Sequence, residues 1–158
     1  MSLRRAFFPV VAITTYAGLA FADEAPPTAD EIKRVLDYQE NGKDRGPILI
    51  ELVPCLKVDT TKGSPTIYNC LEPVTGPVKK NTTVNAWMAW FCPKGGVYED
   101  LTLQFLHEGQ IRQTVDLKVE GLSRTRTYRS HTFGKSGKWQ IKIARGDKEI
   151  ASADVIVE

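Results

Sequence analysis

Histidine and cysteine are scarce in this chain of 158 residues, which holds two of the first and three of the second. No CxxC, HxH or HxxxH spacing occurs, and there is no Asp-rich loop, so the sequence predicts no metal site. The nucleophile-elbow, zinc-protease, P-loop and dinucleotide-binding motifs are also absent. We therefore predict a protein that is not an enzyme and that needs no cofactor.

Beyond residue 22 the sequence lacks any apolar stretch long enough to span a membrane. Residues 1–22 have the three parts of a secretory signal peptide: Arg4 and Arg5, an apolar run over 6–20, and a small-x-small site that ends at Ala22. The alternative is a retained membrane anchor, which the shortness of the run disfavours. We predict cleavage near Ala22 and a periplasmic or secreted mature chain.

Once this leader is removed, neither positive nor negative charge is in excess. The chain has 21 basic and 19 acidic residues, and the leader holds two arginines and no acid. The mature chain is therefore neutral, which argues against nucleic acid as a partner. Any charged binding surface has to be recognised locally, not from the overall balance.

One short helix is predicted at the start of the mature chain. Thr28 and Glu31 form a capping box, and Asn41-Gly42 provides a stop. Between them, three apolar residues share one helix face: Ile32, Val35 and Leu36. We predict a helix over 29–40 within an N-terminal linker segment, 23–45. Its narrow apolar stripe favours a position on the outside of the protein.

From residue 46 onward, extended segments alternate with turn signals about every ten residues. Residues 83–92 are apolar on both faces, which predicts a central strand that is buried on both sides. Glu108-Gly109 and Gly146-Asp147 are turn signals between later strands. About seven strands without intervening helices predict an all-β fold, an immunoglobulin-like antiparallel β-sandwich over residues 46–158.

The three cysteines predict one disulfide and one free thiol in an oxidising compartment. A Cys55–Cys70 disulfide would enclose a turn-rich segment and join a strand to its neighbour. Cys92 lies in the buried strand pattern, where a free thiol acts as a small apolar side chain. The alternative is a reactive Cys92 that works with His107 or His131 in a redox or metal-handling protein.

The most unusual segment is the basic stretch from Arg124 to His131. In a strand, Arg124, Arg126 and Tyr128 share one face, whereas Arg129 and His131 share the other. Neighbouring arginines on a strand form a site suited to a carboxylate, a phosphate or an acidic protein surface. The alternative is a solvated face whose arginines pair with acids such as Asp116 or Glu120.

The three tryptophans could line a platform for a carbohydrate or could fill the core. Trp90 and Trp139 fall on apolar strand faces, which favours core packing. Trp87 is ambiguous, although the other residues on its face, Ala89 and Phe91, favour burial.

The C-terminal part resembles the DUF2914 type of bacterial domain over about residues 84–158. The resemblance rests on the stretch Leu117–Ser130, on Gly137-Lys-Trp-Gln-Ile-Lys-Ile143 and on Gly146-Asp-Lys-Glu-Ile150. Tyr128 stands where that family often has Trp, and Arg129 separates it from Ser130. The resemblance implies an exported, envelope-associated β-sandwich accessory domain without catalytic residues.

These observations predict a periplasmic, non-catalytic binding or accessory module. Its expected partner is another envelope protein or an anionic ligand, bound by Arg124, Arg126 and their neighbours on the same strand.

Overall fold

A computed structural model describes residues 26–121 and 123–158 of the chain. The predicted signal peptide, residues 1–22, lies outside the described residues. In the part that is described, no helix is both long and apolar enough to cross a membrane.

The chain begins with helix α1 (Ala29–Asn41), which a short 3-10 helix (Lys43–Arg45) follows. The predicted capping box is present, because the Thr28 hydroxyl accepts from the backbone N–H of Glu31 and the Glu31 carboxylate accepts from that of Thr28. None of the α1 residues is buried. The helix therefore lies on the outside of the protein, as predicted.

Eight strands follow, one more than the sequence predicts. They are β1 (Ile48–Val58), β2 (Cys70–Pro73), β3 (Thr83–Cys92), β4 (Val97–His107), β5 (Gln110–Glu120), β6 (Ser123–Thr132), β7 (Gly137–Arg145) and β8 (Lys148–Val157). The additional strand is β2, whose four residues are too few to show an alternating pattern.

The strands form two antiparallel sheets. The first has the order β2-β1-β3-β6 and the second the order β5-β4-β7-β8. Three pairs of neighbouring strands are consecutive in the chain, whereas the connections from β3 to β4, from β5 to β6 and from β6 to β7 cross between the two sheets. The fold is an all-β, immunoglobulin-like sandwich with one N-terminal helix, as the sequence predicts.

The core lies between the two sheets. β3 supplies its centre, with Val84, Ala86, Met88, Trp90 and Cys92 all fully buried on its inner face. The outer face of β3 is also covered: Trp87 and Ala89 form a second, smaller cluster with Cys55. This double burial confirms that β3 is a central strand.

The N-terminal segment is fastened to the sandwich through its last residues. The Tyr98 hydroxyl donates to the carbonyl oxygen of Lys43 at 3.0 Å, and the Arg145 guanidinium donates to that of Arg45 at 2.9 Å. Gly46 has φ +95°, and a Cβ there would overlap the Arg145 guanidinium. The positive φ favours glycine at this point, and its lack of a side chain lets the Arg145 guanidinium lie directly against the backbone.

Candidate functional site

Strand β6, which carries the basic stretch, lies at the edge of its sheet. It pairs with β3 along its whole length, from Cys92 opposite Ser123 to Thr83 opposite Thr132. In the described part of the chain no strand pairs with its other side. The arginines therefore lie on a sheet margin and not in the middle of a sheet.

The outer face of β6 presents Arg124, Arg126 and Tyr128, as the alternation predicts. Arg124 lies opposite Phe91, and Arg126 lies opposite Ala89. Both arginines are exposed. Tyr128 lies opposite Trp87 and packs against the outer cluster.

No acidic side chain neutralises these arginines within residues 26–121 and 123–158. None of the ion pairs there includes Arg124, Arg126 or Arg129. Glu120, one of the acids considered from the sequence, contacts Lys118 at 3.1 Å instead. Asp116, the other, forms no ion pair in the described part of the chain. The exposed positive charges of Arg124 and Arg126 are thus available to a ligand along one face of the strand, and Arg129 lies on the other face.

A groove of about 480 Å³ runs beside these residues. It is lined by five consecutive residues of β6, 126–130, and by Tyr68 from the loop between β1 and β2. The groove therefore brings together three of the predicted binding residues: Arg126, Tyr128 and Arg129. It adds Tyr68, which the sequence did not indicate.

Tyr68 is positioned by the loop that connects β1 to β2. The buried Asp59 carboxylate accepts from the Ser64 hydroxyl at 2.6 Å, the Thr61 backbone N–H at 2.9 Å and the Thr66 hydroxyl at 2.7 Å. These hydrogen bonds, that of Ser64 first, hold the pKa of Asp59 far below its usual range. The Tyr68 N–H donates to the carbonyl oxygen of Asp59, so an ordered loop fixes the wall of the groove.

The disulfide between Cys55 and Cys70 closes the base of this loop. Its Cα atoms are 5.9 Å apart, and it joins β1 to β2 as predicted. Cys55 packs with Trp87, whose indole N–H donates to the carbonyl oxygen of Tyr68 at 2.6 Å. The disulfide, the Trp87 indole and the loop between β1 and β2 are therefore connected to one another and to Tyr68.

His131, on the inner face of β6, is not part of the groove. Its ring stacks on Phe105 at 4.5 Å between centroids and contacts Phe133 and Trp139 at 5.3 and 5.2 Å. Nδ1 is 2.6 Å from Oε1 of Gln113, and Nε2 has no hydrogen-bond partner within the described residues. A neutral ring that donates from Nδ1 fits these surroundings, and burial lowers the pKa of His131.

Replacing His131 with phenylalanine is expected to flatten the dependence of stability on pH as the pH falls below about 6.5. The unfolded chain binds a proton at the ordinary histidine pKa of 6.5, whereas the folded chain binds it only at lower pH. The free energy of unfolding therefore falls as the pH drops through this range. Urea unfolding at several pH values measures the effect. Parallel curves for the wild type and His131→Phe would contradict it.

Cys92 lies far from both histidines. It stands at one end of β3, whereas His131 pairs with Val84 eight positions away, about 26 Å along a strand. His107 contacts Trp139 in the same aromatic cluster as His131. Burial raises the pKa of the Cys92 thiol, which disfavours the reactive thiolate. Within the described residues, no cluster of three His, Cys, Asp or Glu could hold a metal ion.

Comparisons with known proteins bear on the fold alone. No model of a protein family and no curated protein matches the chain. A solved immunoglobulin-like protein from Pseudomonas aeruginosa is similar over 71% of this chain and 96% of its own, with 14% identity and a TM-score of 0.43. The CARDB domain of a Pyrococcus furiosus protein is similar over 52% of this chain and 85% of its own, with 14% identity and a TM-score of 0.35.

Proposed function

We propose that this protein is an exported, non-catalytic accessory module that binds an acidic protein partner through strand β6. The observation that carries the proposal is the set of arginines on β6 that form no ion pair in the described chain, beside a groove that Tyr68 and Tyr128 line. The predicted signal peptide and the DUF2914 resemblance support an envelope location. The Cys55–Cys70 disulfide is compatible with an oxidising compartment.

The other sheet shows what an ordinary solvated face looks like in this protein. There Lys118 contacts Glu99 and Glu120, Lys138 contacts Asp154, and Lys142 contacts Glu149, at 2.8 to 3.5 Å. These lysines are neutralised by the protein itself, whereas the β6 arginines are not. Since the mature chain is neutral overall, the difference marks β6 as a local positive surface.

A protein partner fits the site better than a small anion does. The groove is open and follows the strand, whereas a small anion is bound most tightly by groups that converge on one point. Arg124 and Arg126 stand two residues apart on an exposed face, so they present a row of charges. Guanidinium groups in such a row pair with successive carboxylates of a macromolecule.

Replacing Arg124 and Arg126 with alanine is expected to weaken partner capture about tenfold, since each exposed charge pair contributes up to about 1 kcal/mol. The measurement is capture from a periplasmic extract, followed by affinity measurement with the captured protein in purified form. The matched control is Lys138→Ala/Lys142→Ala, which removes the same charge from the other sheet. Unchanged affinity in the arginine variant, or an equal loss in the control, would contradict the site.

A further inference from the structure

We infer that the partner binds as an additional β-strand along the free edge of β6, as an extended segment with acidic residues at alternate positions. This inference rests on the proposed function and specifies how the site is used. Three features of β6 support it: its free edge, the shape of the groove and the contact that Arg129 makes.

The free edge is the first. β6 is the last strand in the order β2-β1-β3-β6, and its hydrogen bonds to β3 use one side only. A strand in this position presents a row of N–H and C=O groups that can pair with another chain. Two hydrogen bonds between β6 and β5 lie toward the two ends of β6: Thr125 donates to the carbonyl oxygen of Glu120, and His131 contacts Gln113.

The shape of the groove is the second. Successive residues of a strand point to opposite faces, so a pocket on one face is lined by every second residue. This groove is lined by every residue from 126 to 130. Lining by residues of both faces indicates that the groove reaches backbone atoms of β6, while Tyr68, which Trp87 holds on the outer face, bounds it from the side of β3.

The contact made by Arg129 is the third. Its Nη1 donates to the carbonyl oxygen of the preceding residue, Tyr128, at 2.9 Å. A charged residue that points inward on an edge strand is a common device that protects the edge from indiscriminate pairing. The carbonyl oxygen of Tyr128 is thus accessible to a donor outside the sheet, and the N–H of an incoming strand can take the place of the guanidinium.

The chemistry of the partner follows from the outer-face residues of β6. An added strand would place every second side chain beside Arg124, Arg126 and Tyr128. The matching segment has two acidic residues separated by one position, with an apolar or aromatic residue two positions beyond, next to Tyr128 and Tyr68. The groove accommodates about five residues, or roughly 17 Å of extended chain.

A second copy of this chain fits the edge poorly. Pairing two β6 strands would bring together Arg124, Arg126 and Arg129 of each copy, and like charges on neighbouring strands are destabilising. Charge complementarity therefore favours an acidic segment of a different protein.

Methylated peptides test the strand addition. The probe is a fluorescein-labelled ten-residue peptide of alternating Glu and Thr with one Phe, in three forms: unmodified, N-methylated at the odd amides, and N-methylated at the even amides. In an added strand only every second N–H faces β6. We expect methylation of one set to weaken binding more than about tenfold through lost backbone hydrogen bonds, and methylation of the other set to change it less than about threefold.

The same titrations with Arg124→Ala/Arg126→Ala separate this inference from the proposed function. Equal binding of the three peptides, or equal loss for the two methylated ones, overturns strand addition. If the arginine variant binds the unmodified peptide more weakly in that case, the proposed function stands. If the unmodified peptide does not bind at millimolar concentration, the inference is wrong. It is also wrong if sedimentation shows a dimer of this protein that the peptide dissociates, because a second copy then occupies the edge. Unchanged peptide binding by the arginine variant counts against both proposals.

Discussion

Replacing Cys55 and Cys70 with alanine is expected to lower the free energy of unfolding by about 3 kcal/mol. The disulfide closes a loop with a sequence separation of 15, and the loop-entropy relation gives about this value for that length. For a domain of this size the loss corresponds to a fall in Tm of roughly 10 °C. Urea and thermal unfolding of the variant and the wild type measure it directly.

Reduction of the wild-type protein provides the control for this prediction. Dithiothreitol should destabilise the wild type by about as much as the double substitution does, and it should leave the double variant unchanged. Cys92 is buried and unpaired, so Cys92→Ala should keep the full response to the reductant. A wild-type protein whose unfolding is insensitive to the reductant would contradict the stabilising role of the disulfide.

Loss of the disulfide is also expected to weaken binding at the groove. Cys70 is two residues from Tyr68, and Cys55 packs against Trp87, which holds the carbonyl oxygen of Tyr68. Without the covalent link the loop from Asp59 to Asn69 is tied down by hydrogen bonds alone. A less ordered Tyr68 loop loses more conformational entropy when the partner binds than an ordered one does, and this lowers the affinity.

The sequence predicts those features of the fold that depend on local patterns. The alternation along β4, β5 and β7, the capping box at Thr28 and the turn at Glu108-Gly109 all involve residues close together in the chain. Glu108 and Gly109 both have positive φ, as a two-residue hairpin turn of type I′ demands. The two faces of β6 were also assigned correctly, because strand alternation is a strict consequence of the backbone.

The sequence does not predict which strand lies at an edge, because that depends on pairing between distant segments. β6 has a free side because β3 is its only partner among the described strands. Tyr68 was missed for the same reason. Its loop has turn chemistry, and only the β1–β2 pairing, together with the hydrogen bond from Trp87, brings it toward β6.

The structure places the candidate residues of β6 on two different faces of the strand. Arg124 and Arg126 point to solvent, whereas His131 points between the sheets, where aromatic rings surround it. This polar residue is tolerated on the inner face because its Nδ1 has a hydrogen-bond partner in Gln113. The sequence pattern shows the alternation but does not show which of the two faces the second sheet covers.

Replacing Trp87 with alanine is expected to destabilise the protein by about 3–5 kcal/mol, the usual cost of removing a buried tryptophan. Trp87 lies on the outer face of its sheet and is still only 7% exposed, because Cys55, Val53 and Tyr128 pack around it. Urea unfolding measures the change. A loss below about 1 kcal/mol would mean that the indole is exposed in solution, as on a carbohydrate-binding platform.

Replacing Trp87 and Trp90 separately with phenylalanine distinguishes the contribution of packing from that of hydrogen bonding. The Trp87 indole N–H donates to the carbonyl oxygen of Tyr68, whereas the fully buried Trp90 has no partner for its indole nitrogen within the described residues. Trp87→Phe should therefore lose a hydrogen bond worth about 1 kcal/mol in addition to packing, whereas Trp90→Phe should lose packing alone. Because that hydrogen bond positions Tyr68, Trp87→Phe should also weaken partner binding at the groove, and Trp90→Phe should not. Equal effects of the two substitutions on binding would show that the Tyr68 wall contributes nothing to recognition.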